Sequence, residues 1–146
     1  MHRIIKTLIF FIIFIIPCVS EGNDYEIKFG YFENCCDMKI IESNTIPMKY
    51  RKTGFRFGYI IKSKSDMNFK EYSIAYPPQK AVLGENVVAL SNNRTSLRGS
   101  TKQARNGISI HRHYFDEGDP TGHWRHEIYL NGKLFKTINY DVVSSP

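Results

Sequence analysis

Histidine and glutamate side chains in the last third of the chain are the first candidates for chemistry. His111 and His113 form a His-x-His pair, which directs both imidazoles to one side of a strand because successive side chains alternate between faces. Such pairs bind zinc when a third ligand is close, and the candidates for it are His123 and Glu127. A solvated polar face rich in histidine is the alternative interpretation. The spacing therefore raises a metal site as one hypothesis for the outer face of a sheet.

Two arginines weaken the metal hypothesis. Arg112 and Arg125 lie among the candidate ligands, and their positive charges oppose a bound cation. Glu127 is the one plausible acceptor for orienting an imidazole there, and an arginine two residues away competes for it. We therefore expect no tightly bound metal and no cofactor. A metal-binding protein or a metal-dependent enzyme stays as the alternative function.

A second candidate is the segment 92–106, NNRTSLRGSTKQARN, which carries four basic residues and no acidic one. Few of its side chains are apolar, so we predict a long exposed loop. Such a loop attracts phosphate-rich polymers, but this one lacks the aromatic residues that stack on bases. We expect no specific nucleic-acid partner and keep an anionic-polymer binder as a second alternative. The candidate residues are Arg94, Arg98, Lys102 and Arg105.

Motifs typical of enzymes are missing from the sequence. It contains no Gly-x-Ser-x-Gly and no glycine-rich phosphate loop. Its cysteines and histidines follow no local pattern that pairs a thiol with a base. We therefore expect a non-enzymatic protein with no catalytic residues.

The elements that position these side chains are predicted to be strands. Residues 123–130 alternate with period two, so that Trp124, His126, Ile128 and Leu130 share one face. Alternating, aromatic or β-branched runs recur at residues 24–33, 54–61, 72–76, 87–90 and 108–115. No helical periodicity of useful length follows residue 20. Six to eight short strands predict an all-β, immunoglobulin-like antiparallel sandwich.

An Asn-Gly turn at residues 131–132 joins the Trp124 strand to the next one, and two registers are open. A two-residue turn pairs Leu130 with Lys133 and turns the apolar face of the second strand away from Trp124. A three-residue loop with a bulge at Gly132 pairs Tyr129 with Lys133 and brings the two apolar faces together. Because a one-residue slip moves every side chain to the opposite face, the apolar pattern favours the bulged loop.

The bulged register defines the predicted core. It places Ile128 opposite Leu134 and Trp124 opposite Ile138. If residues 108–115 form a hairpin with the Trp124 strand, Tyr114 also faces Trp124, and the last three strands make a meander. The predicted core is therefore Tyr114, Trp124, Ile128, Leu134 and Ile138.

Residues 1–20 have the pattern of a secretory signal peptide. Arg3 and Lys6 precede an apolar run at residues 8–16, and Cys18 and Ser20 occupy the −3 and −1 positions of a cleavage site. A membrane anchor and lipoprotein processing at Cys18 are the alternatives. We expect a signal-peptide helix at 1–20, one sandwich domain at 21–146, and a periplasmic or secreted product without a stable membrane anchor. Loss of Arg3 and Lys6 lowers the formal charge from +6 to +4.

Cysteine usage after the signal is confined to Cys35 and Cys36. Adjacent cysteines cannot join distant parts of a domain, and a disulfide between neighbours needs strained geometry. We therefore predict two reduced thiols and a fold that does not depend on a disulfide.

The chain resembles a bacterial domain-of-unknown-function family, DUF 3859. The resemblance spans most of residues 21–146, and the loop at residues 116–121 is more acidic than the family pattern. It implies an exported immunoglobulin-like domain and supplies no catalytic or binding residues. The segments that carry it are FGY at 29–31, TGFRFGY at 53–59, PP at 77–78, YFD at 114–116, GHW at 122–124, GKL at 132–134 and YDV at 140–142.

These observations predict an exported, non-enzymatic immunoglobulin-like module. Its expected task is to bind a protein or another cell-envelope component, since composition and motifs point to no reaction. The formal charge of the exported part is mildly basic, which fits weak attraction to acidic partners.

Overall fold

Two antiparallel-rich sheets packed face to face form the architecture of the computed structural model, which describes residues 24–34, 36 and 38–146. The predicted β-sandwich is confirmed. The predicted signal peptide at 1–20 and Cys35 lie outside the described residues, and Cys36 is exposed. In the described part of the chain, no helix is long and apolar enough to span a membrane.

Eleven strands are assigned within the described residues. The smaller sheet has the order β2-β1-β4-β9, and the larger one has the order β3-β11-β10-β5-β7-β6, with β8 also paired to β5. A 3₁₀ turn at Arg51–Thr53 precedes β4. The strands are β1 (Tyr25–Phe32), β2 (Ile41–Glu42), β3 (Thr45–Met48), β4 (Arg56–Ser63), β5 (Lys70–Tyr76), β6 (Val87–Ala89), β7 (Leu97–Gly99), β8 (Lys102–Gln103), β9 (Ile108–His113), β10 (Gly122–Leu130) and β11 (Lys133–Ser144).

The β10–β11 hairpin has a two-residue turn in place of the predicted three-residue loop, and its bulge lies at Phe135 rather than at Gly132. Asn131 and Gly132 have φ angles of 49° and 83°, as a two-residue type I′ turn requires, and Leu130 pairs with Lys133. The register then shifts, because Phe135 is an extra residue in β11. Beyond the bulge Trp124 pairs with Tyr140, so the apolar faces meet after all. The predicted three-residue loop is therefore wrong.

Leu134 is the clearest error in the predicted core. It precedes the bulge and pairs with Tyr129, which belongs to the outer face, and 54% of its surface is exposed. Trp124, Ile128 and Ile138 are buried. Ile138 pairs with His126 rather than with Trp124.

The predicted meander of the last three strands is also wrong. β9 pairs with β4 in the smaller sheet, whereas β10 belongs to the larger one, so residues 114–121 carry the chain from one sheet to the other. Tyr114 consequently leaves the core. It is half-buried, and the guanidinium carbons of Arg51 and Arg56 lie 4.5 and 5.5 Å from its ring centroid.

The segment 92–106 is not the long exposed loop that its polarity predicted. β7 and β8 lie within it and extend the larger sheet, and Leu97 and Ala104 are buried. Two apolar anchors are therefore enough to dock a mostly polar segment whose backbone pairs with β5 and β6.

Gly58 permits the close pairing of β4 with β9. Its φ is +147°, and a Cβ at this position would lie 2.0 Å from the backbone oxygen of His111. Gly58→Ala is therefore expected to lower the free energy of unfolding by about 1–3 kcal/mol, measured by urea denaturation. Gly99→Ala is the matched control, since its Cβ would meet no heavy atom closer than 3.6 Å. Equal losses in the two variants would contradict the steric argument.

Candidate functional site

A buried hydrogen-bond network lies between the two sheets. Glu71 of β5 is fully buried, and both of its carboxylate oxygens face the smaller sheet. The hydroxyl of Tyr59 donates to Oε2 at 2.8 Å, and the hydroxyl of Ser109 donates to Oε1 at 2.9 Å. Nδ1 of His111 lies 3.1 Å from Oε1 and 2.9 Å from the Tyr59 hydroxyl. Glu71 thus has three partners in place of water.

Strand pairing explains why these groups meet. Tyr59 and His111 are directly opposed on β4 and β9, and Ser109 lies two residues earlier on the same face of β9. Burial alone raises the pKa of Glu71, but the hydrogen bonds and charge of His111, with the hydroxyl donors, lower it overall. Burial and the nearby Glu71 charge raise the pKa of Tyr59 well above its ordinary value. The network therefore holds a carboxylate inside the sandwich.

A row of three imidazoles continues from this network. The rings of His111 and His113 stack with centroids 4.4 Å apart, and His113 lies 4.7 Å from His126. Nδ1 of His126 is 2.8 Å from the hydroxyl of Tyr140. Burial lowers the pKa of His126 to about 3 and that of His113 well below its ordinary value, so both rings are neutral at pH 7.

Two nitrogens in this row have no hydrogen-bond partner among the described residues. They are Nε2 of His113 and Nε2 of His126, and both atoms are buried, although the His113 side chain as a whole keeps some exposure. An unsatisfied buried polar atom is costly, so its presence points to a missing partner.

A cavity of about 270 Å³ lies beside the imidazoles, and we call it the histidine cavity. Its apolar lining residues include Phe57, Phe115 and Trp124, and its polar lining residues include His113, His126 and Lys102. Lys102 is half-buried, and burial lowers its pKa. Exposed residues at 85, 86 and 100 also line the cavity, so it reaches the protein surface.

A second ordered cluster lies on the outer surface of the larger sheet. We call it the tyrosine–arginine face, and its members are Tyr72, Tyr76, Arg98, Arg125 and Tyr129. Tyr72 and Tyr129 are opposed on β5 and β10, and their rings stack at 4.8 Å with an interplanar angle of 5°. The Arg98 and Arg125 guanidiniums each lie 4.2 Å from a ring, over Tyr72 and Tyr76 respectively.

Glu127 is bonded to two members of this face. One of its oxygens accepts a hydrogen bond of 2.8 Å from Tyr129, and the other lies 3.4 Å from Arg125. The hydrogen bond, with smaller effects of burial and charge, raises the pKa of Tyr129 to about 12. Half-buried rings and paired charges hold these side chains in fixed positions before any partner binds.

The structure separates the four predicted metal ligands. His111 and His113 point into the sandwich, so their predicted outer-face position is wrong. His123 is exposed with Nδ1 3.0 Å from Asp141, and Glu127 is bonded to Tyr129 and Arg125 of the tyrosine–arginine face. Within the described residues, no three histidine, cysteine, aspartate or glutamate side chains converge as metal ligands.

The four predicted anion-binding residues do not form one patch. Arg98 packs on Tyr72, whereas the ammonium of Lys102 lies inside, 3.3 Å from the backbone oxygen of Ile110. Arg94 has a φ of 52° in a turn, and Arg105 pairs through its backbone with Ile108. A single basic loop surface is therefore absent from the described residues.

Several residues of both clusters carry no pattern in the sequence that marks them as members of a site. In β5, Glu71 and Ser73 alternate with Tyr72 and Ile74. This pattern favours turning Glu71 and Ser73 toward solvent, so it gives no indication that Glu71 is buried. His126 did share the predicted inner face with Trp124. The alternation also placed Arg125, Glu127 and Tyr129 together outside, and one hydrogen bond and one ion pair join them there.

Comparison with known proteins now places the chain. A model of the PM0630 beta sandwich domain family matches residues 27–143. The chain belongs to the PM0630 beta sandwich domain family. Its matched region includes every residue of the histidine cavity and of the tyrosine–arginine face named above. A search of the curated proteins found no match.

A solved structure with the same architecture is similar to this family member. It is an immunoglobulin-like protein (PA1606) from Pseudomonas aeruginosa, with 17% sequence identity and a TM-score of 0.52. The alignment covers 81% of this chain and 92% of that one. At this identity the likeness shows the immunoglobulin-like fold alone.

Proposed function

We propose that this chain is an exported, non-enzymatic binding module whose partner is an acidic protein of the cell envelope. The observation that supports it best is the preformed tyrosine–arginine face. Tyrosine and arginine are enriched among the residues that dominate protein–protein binding energy. Here two arginines and three tyrosines lie side by side on one exposed sheet surface.

The orientation of the rings favours a protein over a carbohydrate. A sugar needs an open aromatic face, but Tyr72 has Tyr129 stacked on it at 4.8 Å and the Arg98 guanidinium over it at 4.2 Å. Ring edges, hydroxyls and the outer edges of guanidiniums are what a partner meets. These groups suit carboxylates and backbone carbonyls of a protein surface.

Export and domain extent belong to the same proposal. The signal-peptide pattern at 1–20 supports export to the periplasm or beyond, with residues 21–146 as the single domain. The DUF 3859 resemblance agrees with this location and with an immunoglobulin-like fold. The interior network argues against hydrolytic chemistry, because its carboxylate is fully buried and already hydrogen-bonded.

A charge-reversal pair tests the proposed surface. Immobilised protein 21–146 is used to capture partners from the envelope fraction of its source organism, and the captured protein is then purified and titrated. Arg98→Glu/Arg125→Glu is expected to weaken binding by about 10- to 100-fold, because it replaces both cationic groups of the surface with anions that repel an acidic partner.

Lys28→Glu/Lys62→Glu is the matched control. It makes the same change in net charge on exposed positions of the smaller sheet, away from the proposed surface. Wild-type affinity is expected for it. Equal weakening in both double variants would mean non-specific charge attraction and would overturn the proposal, as would failure to capture any acidic protein.

A further inference from the structure

The histidine cavity has the size and lining of a small-molecule site. Its volume of about 270 Å³ corresponds to roughly nine water-sized groups. Three aromatic side chains belong to its lining, where Phe57 and Phe115 stack at 4.4 Å and Phe115 meets Trp124 edge-on at 5.8 Å. Cavities that bind ligands are typically apolar with a few convergent polar groups.

Polar residues in the cavity lining can donate hydrogen bonds. If the Tyr140 hydroxyl donates to Nδ1 of His126, that neutral ring carries its proton on Nε2, which has no acceptor among the described residues. Nε2 of His113 is also unpartnered. The positive charge of Lys102 acts on His113 and contributes, after burial and the other two histidines, to its lowered pKa. Lys102, His113 and His126 all belong to the lining of this cavity.

Acidic residues also lie in or beside the cavity. Glu85, Asp116 and Asp119 line it, and an oxygen of Glu85 lies 3.5 Å from the guanidinium of Arg51. Glu71 accepts hydrogen bonds from Tyr59 and Ser109 and lies beside His111. Asp119 accepts hydrogen bonds of 2.8 Å from the backbone nitrogens of Val82 and Asp116. Two cationic side chains, Lys102 and Arg112, line the same cavity and oppose this negative charge.

We propose that the histidine cavity binds a small aromatic carboxylate. Its ring lies among Phe57, Phe115 and Trp124, and its carboxylate accepts hydrogen bonds from Lys102 and from Nε2 of His126 and His113. A carboxylate has about four lone-pair sites, which is enough for these donors. Zinc fits less well, because two unpartnered imidazole nitrogens fall short of the four ligands of its usual sites.

Benzoate is the probe for the test, since its nine heavy atoms match the cavity volume. Trp124 is the only tryptophan and lines the cavity, so its fluorescence reports occupancy directly. Saturable quenching or a spectral shift by benzoate is expected. Benzyl alcohol, of nearly equal size but uncharged, is expected to bind more weakly.

Lys102→Met separates recognition of the carboxylate from simple apolar filling. Loss of the charged donor is expected to weaken benzoate about 10- to 100-fold and to leave benzyl alcohol unchanged. Arg105→Met removes an exposed positive charge outside the cavity and is expected to have no effect. Thermal melts confirm that each variant is folded.

Nitrogen NMR of the imidazoles gives an independent measurement on the unsubstituted protein. Benzoate is expected to shift the ¹⁵Nε2 resonances of His113 and His126 and to leave those of exposed His123 in place. The proposal is overturned if neither fluorescence nor these resonances respond up to roughly 10 mM benzoate. It is equally overturned if zinc alone saturates both nitrogens with higher affinity. Neither outcome affects the outer surface assigned to the protein partner.

Discussion

Acidification from pH 7 to pH 5 is expected to lower the free energy of unfolding by roughly 4 kcal/mol if His126 and His113 both stay neutral in the fold. Burial is the main cause in each case, and it holds the pKa of His126 at about 3. In the unfolded chain both imidazoles return to a pKa near 6.5 and take up protons over this range. Because the unfolded state then binds more protons than the fold, stability falls as pH falls from about 6.5.

Carboxyl groups contribute little in this window. Glu71 has a lowered pKa, so its stabilising charge is lost only at pH values below the ordinary range of a glutamate. Burial raises the pKa of Asp119, so the folded protein binds this proton at a higher pH than the unfolded chain does. Where that carboxyl titrates, acid therefore stabilises the fold. The contribution of His126 is therefore taken from the difference in slope between the wild type and His126→Gln, which have the same carboxyl groups.

Urea melts at pH 7, 6 and 5 measure the effect. His126→Gln is expected to be less stable at pH 7, because packing in the cavity lining changes. Its free energy of unfolding should fall less steeply with acid, because the unfolded variant takes up one proton fewer. Asn139→Gln, an exchange of uncharged side chains at an exposed position of β11, is the control and is expected to keep the wild-type slope. An unchanged slope in His126→Gln would show that the ring protonates inside the fold.

Local patterns predicted the strands because each depends on residues close in sequence. Alternation around Trp124 and the Asn-Gly turn identified β10, β11 and the turn between them. The bulge at Phe135 was beyond such reasoning. It adds one residue to β11 alone, and both a longer loop and a bulge satisfy the same apolar pattern.

The inward position of His111 and His113 could not be read from their own strand. Ile110 and Tyr114 were the apolar alternatives, so alternation favoured turning the histidines outward. What reverses this preference is a hydrogen-bond partner 40 residues away, Glu71, supplied by the facing sheet. A buried polar network is a property of two sheets together, and its members look like surface residues when each strand is considered alone.

Only the part of the tyrosine–arginine face that lies on one strand could be predicted from the sequence. Arg125 and Tyr129 share one face of β10 by alternation alone. Their ring partners Tyr72 and Tyr76 are brought beside them by pairing of β5 with β10, across about 50 residues. No local pattern specifies that β10, five strands later in the sequence, pairs along one edge of β5 while β7 and β8 pair along the other.

Trp124→Ala is expected to lower the free energy of unfolding by about 3–5 kcal/mol. Trp124 is only 4% exposed, contacts Phe115 edge-on, and stacks at 6.3 Å with Tyr140. Its Nε1 donates a hydrogen bond of 3.0 Å to the backbone oxygen of Pro120, in the loop between the sheets. The substitution removes these contacts and enlarges a cavity that already exists at this position.

Trp124→Phe divides this loss into its two parts. Phenylalanine keeps most of the aromatic packing but cannot donate to Pro120, so a loss of about 1–2 kcal/mol is expected. Urea denaturation followed by circular dichroism gives both values without relying on tryptophan fluorescence. A loss below about 1 kcal/mol in Trp124→Ala would mean that the indole contributes little to the core. The cavity beside it would then be better described as a cleft whose wall rearranges freely, and the fixed aromatic wall assigned to the carboxylate site would have to be abandoned.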